Sequence, residues 1–269
     1  MRSGSLGLGQ YRLHRETHPG NGPFLLLVHG ILSGRSLWQP NLAALSAVSR
    51  PIVVELWGHG RSPSPDEPAC YRPEAYVRAF EELRTELGIA RWFVCGQSFG
   101  AALTLRYALD HPERVVAQVF TNSASALGDG DWVARMRTVV PALADEIERG
   151  GSAAIERMPI HPRHARRIPA EYREAVLADA TRVSPRGLAH TMRYGVPESS
   201  VRTRLGENHV PTLLVCGERE SAFRPLREAA EREMPRLEVV GVDAGHAVNL
   251  EAAETFGRAV TDFFRRHPS

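Results

Sequence analysis

Short apolar runs recur along the chain at residues 24–28, 52–56, 92–95, 115–120, 212–216 and 237–242, separated by polar or glycine-bearing turns. Runs of this length, nearly continuous rather than alternating, predict strands of a parallel sheet covered on both faces. Segments with helical spacing fall between them, at 36–46, 73–87, 101–109, 225–233 and 251–264, and Pro73 and Pro225 suit first helical turns. The β-α-β-α rhythm predicts an α/β fold: a doubly wound, mostly parallel sheet with helices on both faces. The rhythm breaks after residue 122. Helical patterns at 134–148 and 171–183 flank a loop rich in proline, histidine and arginine at 159–169, with no clear strand. We expect an inserted helical cap over residues 123–203 and a core made of residues 1–122 and 204–269.

Composition narrows the function classes. A chain of 269 residues buries roughly three quarters of its unfolded surface, so a single α/β body needs no staples. Apolar residues make up 43% and charged residues 24%, with a net charge of +2, too balanced for the basic stripe of a nucleic-acid partner. The basic residues are all arginine, read first as a compositional habit. Three cysteines, Cys70, Cys95 and Cys216, have no C-x-x-C spacing, which argues against a disulfide framework or a zinc site; Cys95 and Cys216 end apolar runs and read as buried thiols. The opening residues lack a leader's apolar stretch, and no run approaches the ~18 residues of a membrane span. A cytoplasmic protein without a membrane partner is expected; a homo-oligomer is left open.

The chemistry gathers at turns that follow strands. Gly96-Gln97-Ser98-Phe99-Gly100 matches G-x-S-x-G between a predicted strand and a predicted helix. A sharp turn there would lift the serine hydroxyl out of the sheet and aim the first helical N–H groups at whatever it attacks. His246 follows the apolar run 237–242 and could serve Ser98 as general base and then general acid. Such a pair needs a carboxylate to fix the histidine tautomer. Glu218 and Glu220 follow the run 212–216, and loop residues farther from a strand end turn more freely, so Glu220 is preferred. Glu218 and Asp243 remain alternatives. His29-Gly30 ends the run 24–28, and a bend there would bring the Ile31 N–H beside that of Phe99 as an oxyanion hole. His29 itself reads as structural, bonding loop backbone.

Together these residues resemble the α/β-hydrolase superfamily. The resemblance rests on His29-Gly30, Glu55-Leu56-Trp57-Gly58-His59-Gly60-Arg61-Ser62, Gly96-Gln97-Ser98-Phe99-Gly100, Pro211 to Glu220, and Gly245-His246 with Asn249-Leu250-Glu251 and Phe256, and it spans nearly the whole chain. It implies the order nucleophile, acid, histidine, with Ser98, Glu220 and His246 in those roles. It further implies Ile31 and Phe99 as oxyanion donors and a lid after the sixth strand. The chain departs from the family's usual Asp at Glu55 and at Glu220. A serine at the elbow excludes relatives with an Asp nucleophile, the epoxide hydrolases and haloalkane dehalogenases.

The expected reaction is hydrolysis of a small-molecule acyl substrate, an ester, lactone or thioester, without metal or organic cofactor. The alternatives are a carbon–carbon bond hydrolase or lyase, a cofactor-free oxygenase on the same residues, and a hydrolase-like binding protein. Ser123-Ala124-Ser125 and the histidine loop also look like the menaquinone-pathway lyases of this fold. Those lyases carry an arginine just past the elbow glycines, where this chain has Ala101-Ala102-Leu103. Within the expected cap, Trp132, Met136, Met158, Met192 and Tyr194, with Phe223 beyond it, are candidates to line an acyl pocket. The many cap arginines read as a solvated surface or, for one or two, as a substrate anion site.

Overall fold

The computed structural model describes residues 11–268; most of the opening stretch read for a leader lies outside them. Each of the six apolar runs falls on a strand, the run 52–56 only as far as Val54: β2 (Phe24–Val28), β3 (Arg50–Val54), β4 (Trp92–Gly96), β5 (Val115–Thr121), β6 (Thr212–Gly217) and β7 (Leu237–Val242). A seventh, β1 (Arg15–Thr17), pairs antiparallel with β3, and every other pairing is parallel. The order across the sheet is β1-β3-β2-β4-β5-β6-β7. The expectation of strands covered on both faces holds for β2 to β6. It fails for β7, where only Val242 is buried, because β7 is an edge strand.

The helices are α1 (Leu42–Ser46), α2 (Pro73–Glu86), α3 (Phe99–Asp110), α4 (Ala124–Leu127), α5 (Gly130–Arg157), α6 (Ala170–Thr181), α7 (Pro185–His190), α8 (Arg224–Glu233), α9 (Val248–Glu251) and α10 (Ala253–Arg265). The predicted helix 36–46 is a 3-10 segment, Arg35–Asn41, running into α1. The predicted helix 251–264 is broken at Ala252, whose φ of −137° ends α9 before α10 begins. Between β5 and β6 every regular element is a helix, and α5 kinks at Gly151.

Two apolar layers clamp the sheet. One face packs Leu26, Val28, Trp57, Tyr76, Phe80, Phe99 and Tyr107. The other packs Leu25, Leu27, Trp38, Phe93, Phe256 and Phe264, with the Phe93 and Phe264 rings stacked at 4.0 Å. Burial at about 25 cal/mol per Å² of apolar surface makes these layers the main source of stability. The chain leaves β2 toward β3 on one side and returns to β4 on the other. The carboxyl ends of β2 and β4 therefore border the crevice where open α/β sheets bind ligands.

Candidate active site

Ser98 stands at the turn from β4 into α3, with φ of +53° and ψ of −120°. Backbone strain of this kind costs of order 1–3 kcal/mol and persists only where the surroundings enforce it. Here they do: β4 and α3 are buried on both sides of the turn, and Ser123 Oγ donates to the Ser98 carbonyl at 2.7 Å. Gly100 lets the first turn of α3 press against the Val28 and His29 carbonyls, which a side chain would strike. Ser98 itself is partly exposed and faces a cavity of about 430 Å³.

The loop after β2 closes on this turn. A Cβ on Gly30 would lie 2.5 Å from Gln97 Oε1 and 2.8 Å from Ser98 Cβ, so only glycine permits the approach. Leu32, with φ of +59°, and Ser98 are the two non-glycine residues with left-handed φ among the described residues, and both border this cavity. The loop is held from below by two wholly buried imidazoles. His29 Nδ1–H donates to Gly30 O at 2.7 Å, and its Nε2 accepts the Leu56 N–H at 3.0 Å. His59 Nδ1–H donates to Trp57 O at 3.1 Å, and its Nε2 accepts the Leu32 N–H at 3.4 Å. Burial pushes His29 down to about 4; burial and then the neighbouring His29 push His59 down to about 3. Both rings are therefore neutral near pH 7, which lets each accept at one nitrogen and donate at the other. The structural reading of His29 agrees with these bonds. Neither the Ile31 nor the Phe99 N–H meets a protein acceptor among the described residues.

Glu220 lies beyond β6. His246 Nδ1 is 3.0 and 3.1 Å from its two carboxylate oxygens. A carboxylate only accepts, so Nδ1 carries the proton and Nε2 is left as a base. Burial alone would raise the Glu220 carboxyl, but its bonds to His246 and Asn122 outweigh burial and hold it below the ordinary carboxylate range. With 46% and 32% of their side chains exposed, the pair orients a ring more than it stabilises the fold. The other two candidate acids point elsewhere: Asp243 pairs with Arg219, and Glu218 pairs with Arg227 at 3.4 Å. Gln97 Nε2 donates to His246 O at 3.4 Å, joining the histidine loop to the serine turn.

Ile31, Ser98, Glu220 and His246 thus all border one cavity, and Phe99 supplies the N–H next to Ser98. The predicted pocket residues do not. Trp132, Met136, Met192, Tyr194 and Phe223 are absent from the cavity wall. Met158 and Met192 are buried in the layer that Trp132, Met136 and Tyr194 pack against, and Phe223 is buried against α8 and β6 neighbours. The apolar wall comes instead from Leu32, Pro159, Ile160, Ile168, Val176 and Leu250. Composition could not find these residues, since large apolar side chains fill cores and pockets alike. Among the described residues no arginine borders this cavity; Arg166 and Arg167 border a recess beside it that shares His246.

The family model for the alpha/beta hydrolase fold matches residues 23–253. The chain belongs to this family. As an alpha/beta hydrolase it is an enzyme of the hydrolase class, and its relatives carry more than one activity in their names. A Bacillus subtilis (strain 168) protein named "Putative 2-succinyl-6-hydroxy-2,4-cyclohexadiene-1-carboxylate synthase" is 28% identical, with 91% of each chain covered. The carboxylesterase YbfK of the same organism is 26% identical over 91% of this chain and 81% of its own. The structure of MenH from S. aureus superposes with a TM-score of 0.83 at 19% identity, covering 94% of this chain and 98% of that one, and so supports the fold. No helix among the described residues is long and apolar enough to cross a membrane.

Proposed function

We propose that this alpha/beta hydrolase cleaves a carboxylic ester, lactone or thioester through an acyl-enzyme on Ser98. One observation carries the reading: a histidine whose Nδ1 is held by a carboxylate borders the same cavity as a serine on a strained turn. Ser98 Oγ opens onto the cavity and makes no hydrogen bond among the described residues; its contact with His246 Nε2 forms as substrate binds, as catalytic bonds commonly tighten in the Michaelis complex. His246 takes the hydroxyl proton as Oγ bonds the acyl carbon. The Ile31 and Phe99 N–H groups receive the oxyanion, each aimed donor being worth about 3 kcal/mol in the transition state. The leaving alcohol or thiol departs with the proton from His246. Water, deprotonated in turn by His246, then releases the acid and restores the hydroxyl. The apolar wall suits an uncharged acyl chain, and the carboxylesterase name of one relative agrees with it.

The synthase name of another relative favours a second reading, a carbon–carbon bond lyase on the same residues. An arginine facing Ser98 would suit it. The cavity has none among the described residues, and Ala101-Ala102 stand where those lyases carry one. Hydrolysis of p-nitrophenyl esters by the wild type and by Ser98→Ala tests the proposal. The variant is expected to lose at least about 10⁴-fold in kcat while unfolding at the same temperature. Undiminished turnover by a folded Ser98→Ala enzyme would reject it.

A further inference from the structure

Asn122, which directly follows β5, is wholly buried although polar. Its side-chain amide donates to Gly217 O at 3.0 Å and to Glu220 Oε2 at 2.7 Å, and its Oδ1 accepts the Gly217 N–H at 2.9 Å. Both amide hydrogens and the carbonyl are used, all on the turn that carries the acid. The next residue, Ser123, donates to the Ser98 carbonyl. One dipeptide at the end of a central strand therefore braces the acid turn on one side and the serine turn on the other.

The bond to Glu220 does more than the bonds to Gly217. A glutamate has one more rotatable bond than an aspartate, so its carboxylate finds the histidine reliably only if something stops that rotation. Glu220 Oε2 meets the Asn122 amide and His246 Nδ1 together. We infer that Asn122 is a positioning residue for the reaction: it holds the Glu220 carboxylate in the rotamer that faces His246. The inference rests on the proposed role of Glu220 as the triad acid. A purely structural Asn122 would tie β5 to the β6 turn through Gly217 alone, and its effect would not pass through Glu220.

The test is hydrolysis of p-nitrophenyl acetate by the full chain, as wild type, Asn122→Ala, Asn122→Asp, Glu220→Gln and the double variant Asn122→Ala/Glu220→Gln, each with its unfolding temperature. Asn122→Ala is expected to lower kcat by about 10- to 100-fold with KM within about twofold, the scale of loss when a reacting group is misplaced by an ångström. The double variant is expected to be no slower than Glu220→Gln alone, because residues acting through one another do not add. Asn122→Asp keeps an acceptor for the Gly217 N–H but sets a second carboxylate against Glu220. It should stay at least as slow as Asn122→Ala, and the added negative charge should move the acidic limb of its kcat/KM profile to higher pH. Losses that multiply in the double variant would overturn the inference. So would wild-type kcat and pH profile in Asn122→Asp, which carries the test alone if the alanine variant does not fold. Wild-type activity in Glu220→Gln would instead remove the triad reading beneath it.

Discussion

Two regions meet across the cavity, and they are built differently. Ile31, Ser98 and Glu220 reach it from loops braced by buried polar groups: His29 and His59 under the first, Ser123 behind the second, Asn122 beside the third. Pro159, Ile160, Ile168 and Val176 reach it from the helical stretch between β5 and β6. The ion pairs of that stretch lie at the surface, such as Arg163 with Glu156 and Arg193 with Asp145 and Glu148, each worth at most about 1 kcal/mol. Polar bonds also tie it to the loops around the rim, among them the buried bond from the Ser36 N–H to Asp179 on α6 and the Ser184 N–H to Gly58 O at 2.8 Å. Under the proposed reaction the difference is a division of labour: the rim is fixed in advance, while the opposite wall offers replaceable apolar surface.

Damage to the rim should cost most. Glu220→Gln keeps the shape but removes the charge that fixes the His246 tautomer, and kcat is expected to fall by about 10³- to 10⁴-fold. A fall of that size in Glu218→Gln instead would move the acid and dissolve the contrast drawn with Arg227. Next comes pH. His29 and His59 titrate near 6.5 when unfolded but near 4 and 3 when buried. Above pH 6.5 both are neutral in either state, and the stability that depends on them is complete. As pH falls below 6.5 the unfolded chain binds protons that the folded chain refuses. Stability should then drop by up to ~1.4 kcal/mol per pH unit for each ring. Urea midpoints between pH 7 and 4.5 should decline steadily, and less steeply in His59→Gln; a flat profile would contradict buried neutral rings. The smallest effect belongs to the wall. Ile160 is 58% exposed yet borders the cavity. Ile160→Ala should lower kcat/KM for an octanoyl ester by about five- to tenfold, the worth of part of one apolar side chain, and leave the acetyl ester nearly unchanged. Equal losses on both esters would mean that the wall does not choose the acyl chain.

Most of the sheet was legible because buried parallel strands must be apolar throughout. β1 was not: Arg15-Glu16-Thr17 lies at an edge, where pairing needs no apolar pattern. α7 and the turns after it escaped because Pro185, Gly187, Gly195 and Pro197 interrupt any helical spacing, while their packing supplies the order. The placement of Ser98 and His246 at turns that open on one cavity was legible because each follows a predicted strand. Glu220 was legible only as a preference among acids, since its partner is fixed by folding. Asn122 and His59 were hidden as site residues for the same reason. A polar residue at a strand end, or in a glycine-bounded turn, does not reveal which loop it will brace. The cavity wall was misjudged because helix faces, not residue types, decide which apolar side chains line a pocket.

The central claim, a serine made nucleophilic by a held imidazole, is tested most directly by labelling the wild-type protein with a fluorophosphonate and locating the adduct by peptide mass mapping. The account predicts one equivalent, carried on Ser98, absent in Ser98→Ala and formed much more slowly in His246→Ala. Failure to label, an adduct on another residue, or unchanged labelling in either variant would contradict it.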